Sequence, residues 1–411
     1  MAGIEKFPQS EFTLEYYPNL HRFARDRAER LAALNAAPTL PTSLPRSIIS
    51  KMSWDGAKLD PCSYTWQISD AELDEINQTC AEYSRSNKAL GELDKRAFRL
   101  PATLERNLAA RRLDLHAGSG ILLLRGLRPD LRSQRENFIL FAGLASHLSE
   151  QRGRQSGKKY LVHITDLAAG SDLNKYPAPY CNHELPFHTD AGDVIAMLVF
   201  SGAANGGSGT FAAVSTIYNK LAESSPDLLA ALLQPDWPFE RPPDKSLGTK
   251  FYKRPVLFLT AGSGEDTPRP NGNNHVQPEM IFSRGALIRS SQGQQAPDIP
   301  KLTRIQCEAL DAVHFAAAET AHRIQYREGD LLLFNNRRIL HGRDAFTDAA
   351  GADQVQGYSL SRRHMVRLWL KDEQMAGRPP NSALQALWGK IFAGEEGVEE
   401  ERGWPSVPDP S

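Results

Sequence analysis

Short apolar runs of strand length dominate the hydrophobic pattern of the chain after residue 155. Gly, Pro, Asn and Asp separate these runs, which is typical of an antiparallel sandwich or barrel. The predicted strands are residues 160–164, 194–200, 210–214, 256–259, 330–334, 338–341 and 363–370. An earlier apolar run at 120–127 predicts one further buried strand.

Helix start signals lie between these strands. Capping boxes pair Ser69 with Glu72, Ser133 with Glu136 and Thr303 with Gln306, and an apolar face at helical spacing follows each pair. A proline after Ser225 predicts another helix start. The predicted fold is therefore mostly β with flanking helices, built around a double-stranded β-helix (jelly-roll) core.

The pattern also predicts three sections of chain. Residues 1–60 form an N-terminal arm, in which a charged, alanine-rich helix at 23–36 is followed by Pro38, Pro41 and Pro45. Residues 61–400 form a single catalytic domain. Residues 401–411 form a C-terminal tail.

Composition and charge exclude several classes of partner. The chain has 48 basic and 49 acidic residues and a net charge of −1, so no electrostatic footprint for nucleic acid or an anionic membrane is present. The apolar run at 194–204 is too short to span a bilayer. Four scattered cysteines without CxxC spacing indicate reduced thiols and a cytoplasmic location. The expected partner is a small molecule, and the pattern leaves the oligomeric state open.

A His-x-Asp pair, His188 and Asp190, leads directly into the apolar strand at 194–200. On a strand, residues i and i+2 point to the same side, so one imidazole and one carboxylate can bind one ion. A distant histidine would complete a 2-His-1-carboxylate triad, which is typical of non-haem Fe(II) oxygenases. His341, at the end of a predicted strand, is the preferred third ligand, and His183 is the next candidate. The competing interpretation is a simple His–Asp hydrogen bond at a turn.

Two arginines share one face of the last predicted strand. Arg363 and Arg367 alternate with apolar residues there, whereas Arg362 faces the other side. Burying a guanidinium is costly unless it meets an anion, and its planar fork suits a carboxylate. The face pattern therefore predicts an anion site, unless protein carboxylates take both arginines.

Five segments together resemble the TauD/TfdA family of Fe(II)/2-oxoglutarate-dependent dioxygenases, in a branch common among fungal proteins. They occur in family order and span roughly residues 120–390: GRQSGKKYLVHITDL, LPFHTDAGD, GGSGTFAAVSTIYNKLAESSPDLL, EGDLLLFNNRRILHGRDAF and SRRHMVRLWLKD.

The resemblance implies a role for each matching residue. His188, Asp190 and His341 would be the catalytic iron ligands. Arg363 would bind the distal carboxylate of 2-oxoglutarate with help from Thr210. Ser208 is the alternative to Thr210 because the glycine turn is one residue longer than usual. Arg362 is the alternative to Arg363 because the span after His341 is longer than in short members.

The implied enzyme uses Fe(II), 2-oxoglutarate and O2 to hydroxylate, desaturate or cyclise a small carboxylate-bearing molecule, with release of succinate and CO2. Arg367 would bind the substrate carboxylate. Glu184 could receive an ammonium group, which favours an amino acid. The alternatives are a cupin-like metal-dependent isomerase or hydrolase, which has no use for Arg363, and a non-catalytic small-molecule binder on the same barrel.

Overall fold

The structure, a computed structural model, describes residues 14–149, 151–155, 158–168, 178–240, 251–261, 276–288, 299–349, 362–394 and 400–408. The helices of these ranges are α1 Leu20–Ala32, α2 Asp70–Arg85, α3 Ala102–Ala117, α4 Gln134–Leu148, α5 Val214–Ser224, α6 Pro226–Leu232, α7 Gly285–Ile288, α8 Arg304–Thr320, α9 Glu373–Ala376, α10 Ser382–Phe392 and α11 Glu400–Gly403. The strands are β1 Thr65–Gln67, β2 Ile121–Arg125, β3 Gln151–Gly153, β4 Leu161–Thr165, β5 Leu185–His188, β6 Val194–Ser201, β7 Asn205–Gly206, β8 Gly209–Ala213, β9 Trp237–Glu240, β10 Phe251–Arg254, β11 Leu257–Ala261, β12 Val276–Met280, β13 His322–Ile324, β14 Leu331–Asn335, β15 Ile339–Arg343, β16 Phe346–Thr347 and β17 His364–Lys371.

Two sheets organise the molecule. The larger has seven strands in the order β1-β2-β14-β6-β17-β3, with β4 also paired to β17. The smaller has four strands in the order β13-β8-β15-β5. Apart from the parallel pair β1–β2, the pairings in both sheets are antiparallel. Three two-stranded ribbons, β9–β10, β11–β12 and β7–β16, complete the strand pairing of the described residues.

The inner faces of the two sheets enclose an apolar core. Ile195 and Met197 of β6 contribute to this inner core, together with Phe211 of β8 and Phe334 of β14. The alternate residues of the same strands face outward into two other clusters. Helices α2, α3 and α4 pack on the back of the large sheet, and α5, α6 and α8 pack on the back of the small one.

Because both sheets are covered, more described residues lie in helix than in strand. The prediction of a mostly β fold with flanking helices is confirmed in part, since helices do flank the sheets but contain more residues than the strands do. The sequence pattern understated the helices in part because α3 carries no start signal of the capping type. Pro101 precedes α3, no side chain caps its first turn, and its apolar and polar residues show little amphipathic contrast.

The local start signals are confirmed. Ser69, Ser133 and Thr303 each cap a helix through a reciprocal capping box. Strands lie within two residues of the predicted bounds in the runs that became β2, β4, β6, β8, β11, β14, β15 and β17. Within the described ranges, no helix is long and apolar enough to cross a bilayer.

Both ends of the described chain pack against the body of the protein. Helix α1 contacts α8 through Phe23, whose ring lies 5.3 Å from that of Phe315. Trp54 belongs to the inner core, and Trp404 packs in the cluster behind the large sheet. Residues 1–13 of the predicted arm and 409–411 of the predicted tail lie outside the described residues.

A buried ion-pair network fixes the turn between β14 and β15. The guanidinium of Arg337 donates from Nε to Glu279 Oε2 at 2.9 Å and from Nη1 to Asp193 Oδ1 at 3.2 Å. It also donates from Nη1 to the carbonyl of Ala376 at 2.9 Å. All three charged side chains are almost fully buried. Arg337 therefore joins β12, the start of β6 and the end of α9 at one point.

Replacing Arg337 by Met should lower the free energy of unfolding by about 3–5 kcal/mol, because the two buried carboxylates Glu279 and Asp193 each lose a guanidinium that bonds to them. Lys220→Gln, which breaks the exposed pair with Glu319, should cost no more than about 1 kcal/mol. Urea denaturation of both variants measures the difference. Equal losses in the two variants would contradict the role given to Arg337.

Candidate active site

The register of the small sheet sets two histidines face to face. His341 on β15 pairs with His188 on β5, and the ring centroids lie 4.2 Å apart. The next residue, Gly342, has no room for a side chain. A Cβ there would lie 2.7 Å from the carbonyl oxygen of Leu185 and 2.8 Å from Thr210 Oγ1. The glycine therefore permits the close strand approach that brings the two imidazoles together.

His188, Asp190 and His341 form a cluster in which one ligand atom from each lies within 4.8 Å of the others. His341 Nε2 is 3.8 Å from Asp190 Oδ2. His188 Nδ1 lies 2.9 Å from the carbonyl of Pro186, a contact that orients the ring and leaves Nε2 for another partner. Two imidazoles and one carboxylate are the donor set of a facial triad, so these residues fit Fe(II).

Electrostatics favour the ligand forms of two of these groups. Burial, and then the neighbouring His188, lower the pKa of His341 well below its usual value, so its imidazole is neutral. Burial alone would raise the pKa of Asp190, but the positive charge of Arg367 is the main opposing effect, and the pKa is lowered. A neutral imidazole and an ionised carboxylate are the forms that bind a metal.

The side-chain amide of Asn336, which is buried, binds the backbone of Asp190. Asn336 Oδ1 accepts from Asp190 N at 2.9 Å, and Asn336 Nδ2 donates to the carbonyls of Asp190 and Gly192 at 2.8 Å each. Asn336 is the neighbour of Arg337 in the turn between β14 and β15, so the ion-pair network also fixes the Asp190 turn.

A cavity of about 240 Å³ opens from the cluster. It lies between Met197 and Phe211 of the inner core and Tyr16 of the N-terminal arm. Four arginines line it, namely Arg284, Arg343, Arg363 and Arg367. Asp190 is the one carboxylate-bearing residue of the described lining. The cavity is therefore suited to anions.

Arg363 lies in this cavity, 4% exposed. Its Nη2 contacts the sulfur of Met365 at 3.0 Å. Its Nη1 is buried without a hydrogen-bond partner in the part of the chain that the structure describes. Burial lowers the pKa of Arg363. Arg362 is not among the residues that line the cavity, and its Nη1 lies 3.4 Å from the carbonyl of Asp166.

Arg367 also lines the cavity but is engaged by the protein. Its Nη1 donates to Asp190 Oδ2 at 2.7 Å, and its Nε donates to Gln155 Oε1 at 3.0 Å. The pairing with a protein carboxylate, which the face pattern left open, is thus present for this arginine. Arg363, Met365, Arg367 and Trp369 share one face, as predicted.

The structure does not bring Thr210 or Glu184 into the cavity. Thr210 pairs with Gly342, and its side chain shares the outer, helix-facing side of β8 with Ala212. Ser208 lies two residues before Thr210, just ahead of the first residue of β8, and is not among the described residues that line the cavity. Glu184 and the alternative ligand His183 are exposed, and neither lines the cavity. Neither Thr210 nor Glu184 is among the described residues that line the cavity, so this geometry adds no support to their predicted roles, which stay predictions.

Sequence reasoning missed several residues of the lining, among them Tyr326, Arg343 and Tyr16. Tyr326 lies between β13 and β14, and burial raises the pKa of its hydroxyl. Burial, and then the charge of Arg363, lower the pKa of Arg343 to about 9. Tyr16 enters from the N-terminal arm. The signal for Arg343 was present, since it lies two residues after His341 and so on the same face of β15.

Comparison with known proteins identifies relatives over most of the chain. Residues 86–369 match the model of the taurine catabolism dioxygenase TauD, TfdA family. The taurine hydroxylase-like protein SAT17 of Stachybotrys chartarum is 29% identical over 352 residues, which cover 84% of each chain. The FR-33289 synthase of Streptomyces rubellomurinus is 24% identical over 356 residues, which cover 84% of this chain and 96% of the synthase.

Solved structures share the fold at lower identity. An asparagine oxygenase, crystallised with Fe(II), 3-hydroxyasparagine and succinate, is 18% identical with a TM-score of 0.56 over 77% of this chain and 97% of its own. The non-heme iron oxygenase OrfP, in complex with Fe and alpha-ketoglutaric acid, is 16% identical with a TM-score of 0.54. The match covers 75% of this chain and 93% of the OrfP chain.

Replacing Asn336 by Ala should weaken divalent metal binding about 10- to 100-fold, because the Asp190 turn loses the side chain that orients it. Titration with Mn(II), followed by its paramagnetic resonance signal, measures the affinity in the folded protein. Asn205→Ala, at an exposed position, is the matched control. An unchanged affinity in the Asn336 variant would show that the turn does not depend on this amide.

Proposed function

The chain belongs to the taurine catabolism dioxygenase TauD, TfdA family, and we propose that it oxidises a small carboxylate-bearing molecule at the His188–Asp190–His341 cluster. It is an Fe(II)/2-oxoglutarate-dependent dioxygenase, with O2 as the oxidant. The main support for this proposal is that the three-residue cluster and the buried guanidinium of Arg363 line the same cavity. A cupin-like isomerase or hydrolase would have no use for that guanidinium, and a non-catalytic binder would usually have lost one of the three ligands, all of which are present here.

His188, Asp190 and His341 would hold the iron in this proposal. When bound, iron with 2-oxoglutarate supplies the oxidation of a substrate C–H bond by O2, with release of succinate and CO2. The protein contributes binding and orientation. Arg363 would bind the distal carboxylate of 2-oxoglutarate, because its Nη1 is buried without a partner among the described residues and a carboxylate matches its fork.

Arg367 would have two tasks. Its Nη1 holds Asp190 Oδ2 at 2.7 Å, which keeps the carboxylate ionised and oriented. The rest of its guanidinium would meet the substrate carboxylate in the cavity. Because Glu184 is not among the cavity-lining residues, the proposal of an amino acid rests on proteins of the same fold that were solved with hydroxyasparagine and hydroxy-L-arginine, and not on an ammonium partner.

We interpret the two main sheets as a double-stranded β-helix, or jelly roll. Their inner faces enclose one core, and the candidate ligands lie at its open end. Residues 61–400 would form one dioxygenase domain, preceded by the arm 1–60 and followed by the tail 401–411. This division leaves Tyr16 of the arm in the cavity and Trp404 of the tail in a core cluster.

Purified protein should convert 2-oxoglutarate to succinate only when Fe(II) and O2 are both supplied, slowly even without the main substrate. His188→Ala, Asp190→Ala and His341→Ala should each abolish this turnover, because each removes one proposed ligand. Succinate measured by mass spectrometry reports the reaction, and circular dichroism reports the fold.

His183→Ala is the matched control for these variants, since His183 is exposed and should leave turnover unchanged. Full activity in the His341 variant, or succinate formation that persists after chelation of the metal, would contradict the assignment of the ligands.

A panel of L-amino acids and other small organic acids, incubated with wild type, should yield one product that has gained an oxygen atom or lost two hydrogens. Once the slow succinate formation without substrate is subtracted, product and succinate should form in equal amounts, because one 2-oxoglutarate is consumed for each substrate oxidised. The His341→Ala variant provides the blank. If the coupled substrate carries no carboxylate, the substrate class proposed here is wrong, while the iron and 2-oxoglutarate requirements stand.

A further inference from the structure

Arg343 is a second buried guanidinium of the cavity, to which no role has yet been given. It is the last residue of β15, two positions after His341, and is 5% exposed. Its Nη2 donates to the carbonyl oxygens of Cys181 at 2.6 Å and His183. Its Nε and Nη1 are buried without a hydrogen-bond partner in the described residues. The Nη2 group of Arg343 therefore has backbone carbonyls as hydrogen-bond acceptors, whereas its Nε and Nη1 groups have no acceptor among the described residues.

Arg343 and Arg363 approach the same aromatic ring. The guanidinium carbons lie 4.9 Å and 5.1 Å from the ring centroid of Phe346. Asp166 acts electrostatically on Arg343 and Asp348 acts on Arg363, but neither guanidinium forms an ion pair with a carboxylate in the parts of the chain that the structure describes. Two neighbouring buried cations repel each other, and the repulsion is relieved when one anion binds between them.

A hydroxyl completes this group. The Oη atom of Tyr326 lies 1.9 Å from the position that a Cβ on Gly209 would take, so the hydroxyl occupies the side-chain space of that glycine. Gly209 is the strand partner of Arg343. The guanidinium of Arg363 lies 6.0 Å from the Tyr326 ring. Two guanidiniums and a phenol thus approach one another on the inner side of the small sheet.

We propose that Arg343 is a second carboxylate-binding residue of this site, which acts with Arg363 and Tyr326 on the distal carboxylate of 2-oxoglutarate. The proposal rests on the proposed function and assigns a further residue to it. A carboxylate has lone pairs for several donors, so two arginine forks and one hydroxyl can bind it together. The group then makes the enzyme selective for a 2-oxo dicarboxylate over a 2-oxo monocarboxylate.

A purely structural role for Arg343 has a different signature. The Nη2 contacts to Cys181 and His183 hold the loop before β5, and their loss would disturb the cavity for every ligand. A carboxylate-binding role instead affects only ligands that carry the distal carboxylate. 2-Oxopentanoate has the same keto-acid end as 2-oxoglutarate and a methyl group where the distal carboxylate would be, so it separates the two roles.

The test is calorimetric titration of the Fe(II)-loaded protein, without O2, with each of these two ligands. In Arg343→Gln, the Kd for 2-oxoglutarate should rise about 10- to 100-fold, as expected for a lost charge-assisted hydrogen bond. The Kd for 2-oxopentanoate should change less than about 2-fold, since it makes no such bond. Arg363→Gln should show the same pattern. Arg343→Lys should recover part of the affinity, because it keeps the charge but not the fork.

Arg323→Gln is the matched control, since Arg323 lies on β13 of the same sheet but is exposed and pairs with Asp344. Equal losses for both ligands in Arg343→Gln, or no loss for either, would overturn the proposal. If Arg343→Gln does not fold, full 2-oxoglutarate affinity in Arg343→Lys would overturn it. Wild-type protein that fails to bind 2-oxoglutarate at all would refute the proposed function itself.

Discussion

The pairing of β15 between β5 and β8 is the constraint on which the site depends. It sets His341 opposite His188 and Arg343 opposite Gly209, and it succeeds only because Gly342 leaves room for the Leu185 carbonyl. The turn before β15 adds the third element, since Asn336 binds the backbone of Asp190. One strand and its preceding turn therefore position all three residues of the candidate metal cluster.

Positive charge is concentrated where the sheets open. Arg284 and Arg367 have carboxylate partners in Asp311 and Asp190, respectively. Arg343 and Arg363 are instead surrounded by aromatic rings, backbone carbonyls and a thioether. Asp166 and Asp348 act on these two arginines only from a distance, and no described carboxylate forms an ion pair with either, so a bound dicarboxylate would supply a direct counter-charge. Binding of such a ligand stabilises the fold by mass action, in addition to preparing the reaction.

The sequence predicted the parts of this arrangement that depend on local pattern. Reciprocal caps at Ser69, Ser133 and Thr303 are encoded within four residues, and strand alternation placed Arg363 and Arg367 on one face. Thr210 could not be placed in the same way. Which face of the small sheet carries the Thr210 side chain depends on how β8 pairs with β15. These two strands are more than 120 residues apart in sequence, so no local pattern sets their pairing. Arg343 was overlooked because its segment was used only to choose His341, and Tyr326 because nothing nearby in sequence marks it.

The position of Tyr16 bears on how the protein is prepared for study. The family match begins at residue 86, yet this tyrosine lines the cavity and Arg284 Nε binds the carbonyl of its neighbour Glu15 at 2.9 Å. An expression clone trimmed to the family match would lose a wall of the cavity together with the Trp54 contribution to the inner core. The working boundary of this enzyme is set by what closes the cavity, and protein engineering on it should begin from the full chain.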